Sequence, residues 1–388
     1  MHPSPYTLSW HTNIALIDRE AWNALAGPLK TPILEWEWLN ELERSGSIAP
    51  NTGWLPSHLT VRSKYGLVAA APLYIKTHSE GEFVYDYIWA EVAEKLKVDY
   101  YPKLIGMSPA TPSIGYRFLI DPKEDGNMIT RIMMGEIDRF CRETGLSGVS
   151  FLFVDPEWKT AVNNFGLTPW LHQSFAWQNE DYKTFSDYLL RFNKNQRRNI
   201  KRERAALKSS DISIRILPGN EVPKSYYSLM YHFYKNTNDQ FGPWAARYLN
   251  KKFFEGLHAH YSHRLLFAAA FESSNTGLPV GMSLLLHKDD ILIGRYWGSS
   301  RKINNLHFNA CYYTPIEWAI QNGISTFDPG AGSPHKIRRG FKAVSNYSLH
   351  GFYNAGLKRV FETYIDEINR LEQEQIDVLN STLPLKHV

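Results

Sequence analysis

The sequence predicts a mixed α/β protein in which one order of strands and helices occurs twice. The chain has 388 residues, more than a single hydrophobic core usually holds. Two segments alternate like β-hairpins, and each is followed by an amphipathic helix and a short apolar strand. Hydrophobic content of 43% and charged content of 21% are those of a globular chain.

The repeat has four elements in each half. In the first half they are a hairpin over 58–76 turning at Tyr65-Gly66, a strand over 82–89, a helix over 128–144 and a strand over 148–155. In the second half they are a hairpin over 264–287 turning at Asn275-Thr276-Gly277, a strand over 290–297, a helix over 308–322 and a strand over 325–328. Both helices end at a glycine, Gly145 and Gly323.

This pattern predicts a mixed central sheet flanked by helices in each half, because a helical crossover commonly joins parallel strands. We place the first domain at residues 1–177 and the second at 178–388. The two halves are only weakly similar in sequence, so two unrelated α/β domains with the same rhythm are the alternative.

A basic helix is predicted over residues 193–208, where the second domain begins. It carries one carboxylate, Glu203, and six cations: Lys194, Arg197, Arg198, Lys201, Arg202 and Arg204. Two interpretations stay open, a solvated surface helix or a surface for an anionic partner such as RNA or an anionic lipid layer. A C-terminal helix is predicted over 357–379, packed on the second domain.

Charge and cysteine content exclude several classes. A net charge of +4 and a pI near 8.7 argue against a dedicated duplex-DNA binder. The two cysteines, Cys141 and Cys311, form no CxxC motif, so neither a disulfide framework nor a structural zinc cluster is predicted. Without a secretory signal or a spanning apolar run, we expect a cytoplasmic protein that meets membranes peripherally.

Residues 293–341 gather groups that could carry chemistry. Arg295, Tyr296 and Trp297 end a strand; His307, Tyr312 and Tyr313 lie on the next helix; Asp328, Gly330 and Gly332 follow the next strand, and His335, Lys336, Arg338 and Arg339 come after them. Ligands of open α/β sheets bind beyond the carboxyl ends of strands. We therefore expect a cleft here.

The candidate general bases are His335, Asp328 and His307, because amine acylation needs a group that accepts a proton near neutral pH. An alternative to a catalytic role is equally open for two of them. His307 could be a residue at the start of a helix that bonds to the nearby backbone, and Asp328 could cap the end of a strand. The loop 330–333 could expose backbone N–H groups to an anion, and with Lys336, Arg338 and Arg339 it predicts a phosphate or pyrophosphate site. His307 and Cys311 share a helix face, but two ligands predict no metal site.

In the first half, Lys103 and Arg117 lie in a Pro/Gly-punctuated segment, 100–117, interpreted as a substrate groove or as an extended connection. The chain has no Gly-x-Ser-x-Gly elbow, Walker A motif or Gly-x-Gly-x-x-Gly turn after a strand. This absence of a nucleophile motif favours direct transfer of an acyl group to an amine.

Several motifs in order resemble the FemAB-like family of peptidoglycan biosynthesis or recognition. They are YPKL at 101–104, PATPSIGYR at 109–117, NQRRNIKRER at 195–204, GRYWG at 294–298, LHF at 306–308, CYY at 311–313 and DPGAGSPHKIRRGF at 328–341. The resemblance implies tandem acetyltransferase-like (GNAT) folds. It also implies transfer of an acyl or aminoacyl group, from acyl-CoA or aminoacyl-tRNA and with no tightly bound cofactor, to an amine such as that of a peptidoglycan precursor.

Within this hypothesis the residues take three sets of roles. The catalytic set is His335, Asp328, Tyr313 and His307; the substrate-binding set is Arg295, Tyr296, Trp297, Tyr312, Lys103 and Arg117; the phosphate-binding set is Gly330, Gly332, Lys336, Arg338 and Arg339. Tyr296 and Tyr313 would position the acceptor or stabilise the oxyanion. The chain departs from the family pattern at two positions. The family usually has a Glu immediately before the residue that corresponds to His335, where this chain has Pro334, and a Glu at the position of Asn309. A non-catalytic module that recognises cell-wall precursors or RNA is the alternative.

Overall fold

The structure is a computed structural model that describes residues 5–242, 245–273, 277–332 and 334–386. It divides into two compact units, one of residues up to 172 with 345–373, the other of 173–344 with the residues from 374 onward. Strands β9 (Thr168–Gln178) and β15 (Lys342–Phe352) carry the chain from one unit to the other. Asn275 and Thr276 of the predicted turn, Ser333 and the Lys208 side chain lie outside the described residues.

Among its described residues the first unit contains five α-helices, apart from the shared C-terminal helix, and ten strands, counting β9 and β15. The helices are α1 (Arg19–Ala26), α2 (Trp36–Arg44), α3 (Tyr87–Leu96), α4 (Gly126–Glu143) and α5 (Pro156–Ala161). The remaining strands are β1 (Thr7–His11), β2 (Trp54–Pro56), β3 (His58–Ser63), β4 (Gly66–Ala71), β5 (Leu73–Lys76), β6 (Lys103–Gly106), β7 (Leu119–Ile120) and β8 (Gly148–Phe151).

Two sheets form in this unit. A small antiparallel sheet has the order β1-β3-β4-β7. The main sheet runs β2-β5-β6-β8-β15, and its one parallel pair, β6 with β8, is joined through helix α4. The helix and strand predicted over 128–155 are therefore confirmed in position, and Gly145 follows the helix with φ of 68°.

Two expectations for the first half are wrong. Residues 82–89 form no strand but an irregular segment and the first turn of α3, because Phe83 has a φ of 58° that a strand does not accommodate. Tyr85 and Tyr87 are 75% and 68% exposed, so the aromatic alternation faces solvent. The segment 100–117, interpreted as an irregular groove or connection, contains strand β6, which pairs in parallel with β8.

Helix α12 (Ala355–Ser381) includes the predicted C-terminal helix, but its first half belongs to the first unit and not to the second. The reason is the apolar face of Leu357, Phe361 and Ile365, which is buried there. The Phe361 ring lies 4.6 Å from that of Trp89 and 5.0 Å from that of Phe352. From residue 374 the helix belongs to the second unit, where Asn380 bonds the backbone of Ala343 at 2.9 Å.

In its described residues the second unit has six further helices and five further strands. The helices are α6 (Phe185–Leu190), α7 (Lys194–Ser209), α8 (Lys224–Asp239), α9 (Lys251–His260), α10 (Leu306–Phe308) and α11 (Thr314–Gln321). A π-helical turn, Asn309–Tyr313, joins α10 to α11, and a 3₁₀ turn covers Pro334–Arg339. The strands are β10 (Ile212–Pro218), β11 (Leu265–Glu272), β12 (Gly281–Lys288), β13 (Ile291–Ser299) and β14 (Thr326–Asp328).

Its sheet has the order β10-β11-β12-β13-β14-β9. The only parallel pair among its described strands is β13 with β14, joined by the helices α10 and α11. Each unit therefore has antiparallel strands that lead into a parallel pair with a helical crossover, which confirms the mixed α/β class. The predicted repeat is confirmed in its helix and last strand but not throughout, because the strand over 82–89 is absent and strands β3 and β4 of the first hairpin belong to the small sheet. The hairpin of β11 and β12, strand β13 and the basic helix α7 lie where the sequence predicts them.

No helix among the described residues is both long and apolar enough to cross a membrane.

Candidate active site

The candidate site forms where the parallel pair of the second unit comes apart. Pairing of β13 with β14 stops at Ile293 and Asp328. Just beyond, β13 carries a β-bulge, because Leu284 and Leu285 of β12 face Tyr296 and Gly294 and leave Arg295 as an extra residue. The π-helical turn 309–313 and the 3₁₀ turn 334–339 belong to the same region. Bulges and π-turns often occur at functional sites.

A hydrogen-bonded pair, Tyr312 and His335, is the centre of this site. Tyr312 Oη and His335 Nε2 lie 3.0 Å apart. The His307 ring lies 5.3 Å from the Tyr312 ring and 5.9 Å from the His335 ring, and the Trp297 ring lies 5.2 Å from His307. The structure therefore brings together four of the predicted residues, from strand β13, helix α10, the π-turn and the 3₁₀ turn.

The protonation states of this pair follow from burial. Desolvation, with the charges of Arg339 and Lys336, lowers the pKa of His335 to about 4. Desolvation also lowers the pKa of His307 to about 4, with His335 as the next cause. Burial raises the pKa of the Tyr312 phenol. Near pH 7 both imidazoles are therefore neutral and the Tyr312 phenol is protonated. In the tautomer that carries its proton on Nδ1, His335 accepts the hydrogen bond of the Tyr312 phenol at Nε2.

Glu203 on the basic helix α7 is a site residue that the sequence analysis missed. Both of its carboxylate oxygens lie 3.1 Å from Nη2 of Arg339, and it accepts a short hydrogen bond from the Tyr313 phenol. The Arg339 side chain is 5% exposed and that of Glu203 19%. A sequence signal existed: Gln196, Ile200, Glu203 and Leu207 follow the i, i+4, i+7, i+11 spacing of an inward helix face.

Arg339 connects that carboxylate to the site histidine. Its Nη1 donates to the carbonyl oxygen of His335 at 3.0 Å, and its guanidinium stacks 3.5 Å from the ring centre of Phe308. The position of His335 therefore depends on an ion pair with a helix more than a hundred residues earlier in the chain. In this conformation Arg339 is occupied by protein groups, and its predicted phosphate contact stays a prediction.

Lys336 is buried and fastens the glycine loop. It is 1% exposed, and its Nζ donates to the carbonyl oxygens of Gly330 at 2.6 Å and Ala331 at 2.9 Å. Desolvation lowers the pKa of this ammonium to about 8, against the opposing charge of Asp328. The loop carbonyls therefore occupy Lys336 in this conformation, and its phosphate role also stays a prediction.

Asp328 and Gly330 hold the same loop from the other side. Asp328 Oδ1 accepts from the Gly330 N–H at 2.8 Å. Gly330 has a φ of 76°, and a Cβ on it would lie 2.7 Å from the carbonyl oxygen of Gly294 in β13. Only glycine fits this close approach. Asp328 thus performs the strand-end capping that the sequence left open, whereas its role as a base stays a prediction.

Three other predicted residues lie outside the Tyr312–His335 pair. Tyr296 is buried against Tyr234 and Phe254, with ring centres 5.4 Å away in both cases, and accepts from Arg295 Nη2 at 3.3 Å. Arg338 is exposed, and its carbonyl accepts from Gln196 Nε2 at 2.6 Å. The substrate and phosphate roles of these residues stay predictions.

The described residues contain no group of three or more His, Cys, Asp or Glu side chains placed to hold a metal ion. Cys311, which shares a helix face with His307, is partly buried, and desolvation raises the pKa of its thiol.

Lys103 and Arg117 belong to the first unit. The Lys103 ammonium is buried and lies 3.1 Å from Glu82 Oε2, with a shorter contact to Asp86 Oδ2. Arg117 Nη1 lies 3.7 Å from Asp155 Oδ1 and 3.9 Å from Glu157 Oε2. Both side chains are thus paired with carboxylates of their own unit, and the predicted substrate contacts stay predictions.

Solved structures with this fold cover the length of the chain. FemX is 12% identical, with 89% of this chain and 98% of that chain covered and a TM-score of 0.55. The C-terminal domain of a putative lysylphosphatidylglycerol synthetase from Agrobacterium fabrum is 10% identical, with 97% and 100% covered and a TM-score of 0.53. A conserved protein of unknown function from Bacteroides thetaiotaomicron is 8% identical, with 89% and 99% covered and a TM-score of 0.52.

At such identities these likenesses show the fold, and the predicted mixed α/β class with helices flanking its sheets is confirmed. The chain belongs to the FemAB-like family, described as peptidoglycan biosynthesis and recognition, whose model matches residues 13–387. The predicted family is therefore confirmed, and with it a place in peptidoglycan metabolism. No curated protein sequence matches the chain.

Proposed function

We propose that the second unit transfers an acyl or aminoacyl group to an amine of a peptidoglycan precursor. The observation that carries the proposal is the 3.0 Å contact between Tyr312 Oη and His335 Nε2, in a region enclosed by Trp297 and His307. A protonated phenol bonded to a neutral imidazole is a proton path that an amine nucleophile needs. Membership of the FemAB-like family supplies the class of acceptor.

The reaction follows from these two side chains. The amine nitrogen attacks the carbonyl carbon of the donor, and a C–N bond forms. The nitrogen then gives its proton to Tyr312 Oη while the phenolic proton moves to His335 Nε2. The C–S bond of a thioester or the C–O bond of a ribose ester breaks, and His335 returns the proton to the leaving atom. Because the pKa of His335 is lowered to about 4, its imidazolium releases that proton readily.

For the donor we put aminoacyl-tRNA first and acyl-CoA second. Lys194, Arg198 and Lys201 are exposed on one face of α7, and within the described part of the chain none of them is paired with a carboxylate. Arg338, also exposed, lies beside this helix through the bond from Gln196 to its carbonyl. A row of unpaired cations supports a polyanionic donor, because each contact with a phosphate adds salt-dependent affinity.

The test is a transfer assay with mass detection. The full chain is incubated with a nucleotide-linked muropeptide and, in separate reactions, a mixture of aminoacyl-tRNAs or of acyl-CoAs. We expect the mass of one added aminoacyl group on the muropeptide. A triple variant, Lys194→Gln with Arg198→Gln and Lys201→Gln, should make tRNA binding less salt-dependent. At roughly 0.7 per phosphate contact, the slope of log affinity against log salt concentration should become smaller by about 2.

The second candidate, a recognition module without chemistry, is a defined outcome of the same assay. Retention of the muropeptide without product from any donor would favour it and would contradict the transferase proposal. Product from acyl-CoA alone would keep the transferase and overturn the choice of donor.

A further inference from the structure

The first unit contains a cavity of about 440 Å³ that the roles above do not use. It opens to solvent and is lined by helix α4, the start of β8, residues 165–167, the end of β15 and the first turn of α12. Its volume lies in the range of small-molecule sites, about 300–1,000 Å³. All of its lining residues belong to one compact unit, so the cavity is built by one hydrophobic core.

The inner surface of this cavity is apolar. Its lining includes Met134, Ile137, Val149 and Leu167, which are each at most 8% exposed. Gly135, on the α4 side, has no atom within 4 Å of the position its Cβ would occupy. Gly135 is itself exposed and lines the cavity, so open space borders the cavity on this side. An apolar chain lying there would cover the parts of the apolar lining that still face water.

The rim of the cavity is cationic. It carries Arg131, Arg142 and Lys358, against one carboxylate, Asp138, which accepts from Arg142 Nε at 2.9 Å. Lys358 Nζ lies 3.7 Å from Glu362 with both side chains nearly half exposed, which is a weak pair. In the described part of the chain Arg131 has no carboxylate partner. The rim is thus positively charged after its own ion pairs are counted.

We propose that this cavity binds an amphipathic phosphate, an apolar chain that ends in a phosphate group. The chain would lie on Ile137, Val149 and Leu167, and the phosphate would meet Arg131 and Lys358 at the rim. A phosphate suits the site better than a carboxylate because two incompletely neutralised cations can share its greater charge. The proposal does not depend on the transfer reaction of the second unit.

The test is calorimetric titration of the full chain with hexyl, octyl and decyl phosphate below their micelle concentrations. Affinity should rise about fourfold per methylene and then level off once the chain fills the cavity. Octanol and inorganic phosphate should each bind at least tenfold more weakly than octyl phosphate. Vesicles with and without phosphatidic acid distinguish a membrane lipid from a soluble phosphate ester as the natural ligand. Binding only to the vesicles that contain phosphatidic acid identifies a lipid, and no binding to either kind identifies a soluble ester.

Three variants make the test specific. Gly135→Leu places a side chain at the cavity from a position with no neighbouring atom, so it should not lower the melting temperature and should weaken octyl phosphate binding at least tenfold. The double variant Arg131→Gln, Lys358→Gln should weaken octyl phosphate but not octanol. Arg139→Gln is the control, because Arg139 lies on α4 outside the cavity and pairs with Glu136 and Glu143. Affinity that keeps rising with chain length and ignores Gly135→Leu would overturn the proposal, as would equal binding of inorganic phosphate.

Discussion

Arg339 Nη2 lies 3.1 Å from each carboxylate oxygen of Glu203, a residue 136 positions earlier in the chain. The same guanidinium donates to the carbonyl oxygen of His335 at 3.0 Å. The basic helix α7 is therefore fastened to the turn that carries the site histidine, and the carboxylate of this helix has a structural task inside the candidate site.

Replacing this carboxylate should damage both stability and transfer. Glu203→Gln removes the charge that compensates a nearly buried guanidinium, so we expect a loss of about 1–3 kcal/mol in the free energy of unfolding. The transfer rate should fall more than tenfold with the acceptor affinity little changed, because His335 moves. Denaturant unfolding and single-turnover kinetics measure the two effects. Glu317→Gln, which breaks a half-exposed pair with Arg204, is the matched control and should change stability by under about 1 kcal/mol. Equal effects of both variants would refute the role of Glu203.

The burial of Lys336 should make the free energy of unfolding depend on pH in the alkaline range. Its pKa is lowered to about 8 in the folded chain, against about 10.4 when unfolded. The folded state then holds fewer protons on this group between these values, so its contribution to stability increases as the pH rises through that interval. The gap, taken as the unfolding free energy of the wild type minus that of Lys336→Met, should therefore shift in favour of the wild type from pH 8 to 10.5, by an amount on the order of 3 kcal/mol at 1.36 kcal/mol per pH unit. A constant gap would contradict the burial of this ammonium.

Acid stability should depend on a buried relay in the first unit. Ser348 Oγ lies 2.7 Å from both His172 Nε2 and His350 Nε2, and His350 Nδ1 lies 2.9 Å from Ser150 Oγ. Burial lowers the pKa of His172 to about 4 and that of His350 to about 3. Lowered groups stabilise the fold above their unfolded pKa and lose this contribution as the pH falls toward the folded value. Unfolding free energy should thus decrease from about pH 6.5 to 4.

Two variants in this unit should change that acid slope in opposite directions. His350→Gln should flatten it, because one lowered imidazole is gone. Burial raises the pKa of Glu82 to about 7 against the opposing charge of Lys103, so in the folded chain this carboxyl takes up a proton as the pH falls below 7 and adds stability down to about pH 4.5. Glu82→Gln should therefore steepen the slope. Denaturant titrations at half-unit pH intervals measure both, and parallel curves for the two variants would refute the assignment.

Two glycines should respond oppositely to alanine. A Cβ on Gly298 of β13 would lie 2.0 Å from the carbonyl oxygen of Phe233 in α8, so Gly298→Ala must push strand and helix apart. We expect a loss of about 1–3 kcal/mol. A Cβ on Gly135 in α4 meets no atom within 4 Å, and Gly135→Ala should gain about 0.5–1 kcal/mol through helix propensity. Thermal unfolding of both variants checks the pair, and a neutral Gly298→Ala would contradict the close packing of α8 on β13.

The spacing of apolar residues within short segments predicted much of this fold. The hairpin of β11 and β12, strand β13 and helix α4 follow from alternation or helical spacing within each segment. Residues 82–89 misled the same method, because their alternation places tyrosines in solvent and the carboxylates of Glu82 and Asp86 around a buried lysine. Alternation specifies two faces of a segment but does not say which of them is covered.

The sequence predicted many of the residues of the candidate site but not the contacts between them. Lys336, Arg338 and Arg339 are predicted from the sequence as one phosphate-binding group, yet the 3₁₀ turn buries the first and third and exposes the second. Residues three apart eclipse in such a turn, so this division follows from its geometry. The partner of Arg339 comes from a distant helix, and no local pattern identifies a contact across 136 positions.

The most direct test is the single-turnover transfer rate of Tyr312→Phe, His335→Gln and their double variant, with Tyr364→Phe on the exposed face of α12 as control. The account predicts that each single variant slows transfer by about 10²–10⁴-fold at unchanged acceptor affinity. The double variant should be no slower than the worse single one, because the two side chains move one proton together. A Tyr312→Phe rate within about threefold of wild type, well short of the general acid–base range, would contradict it.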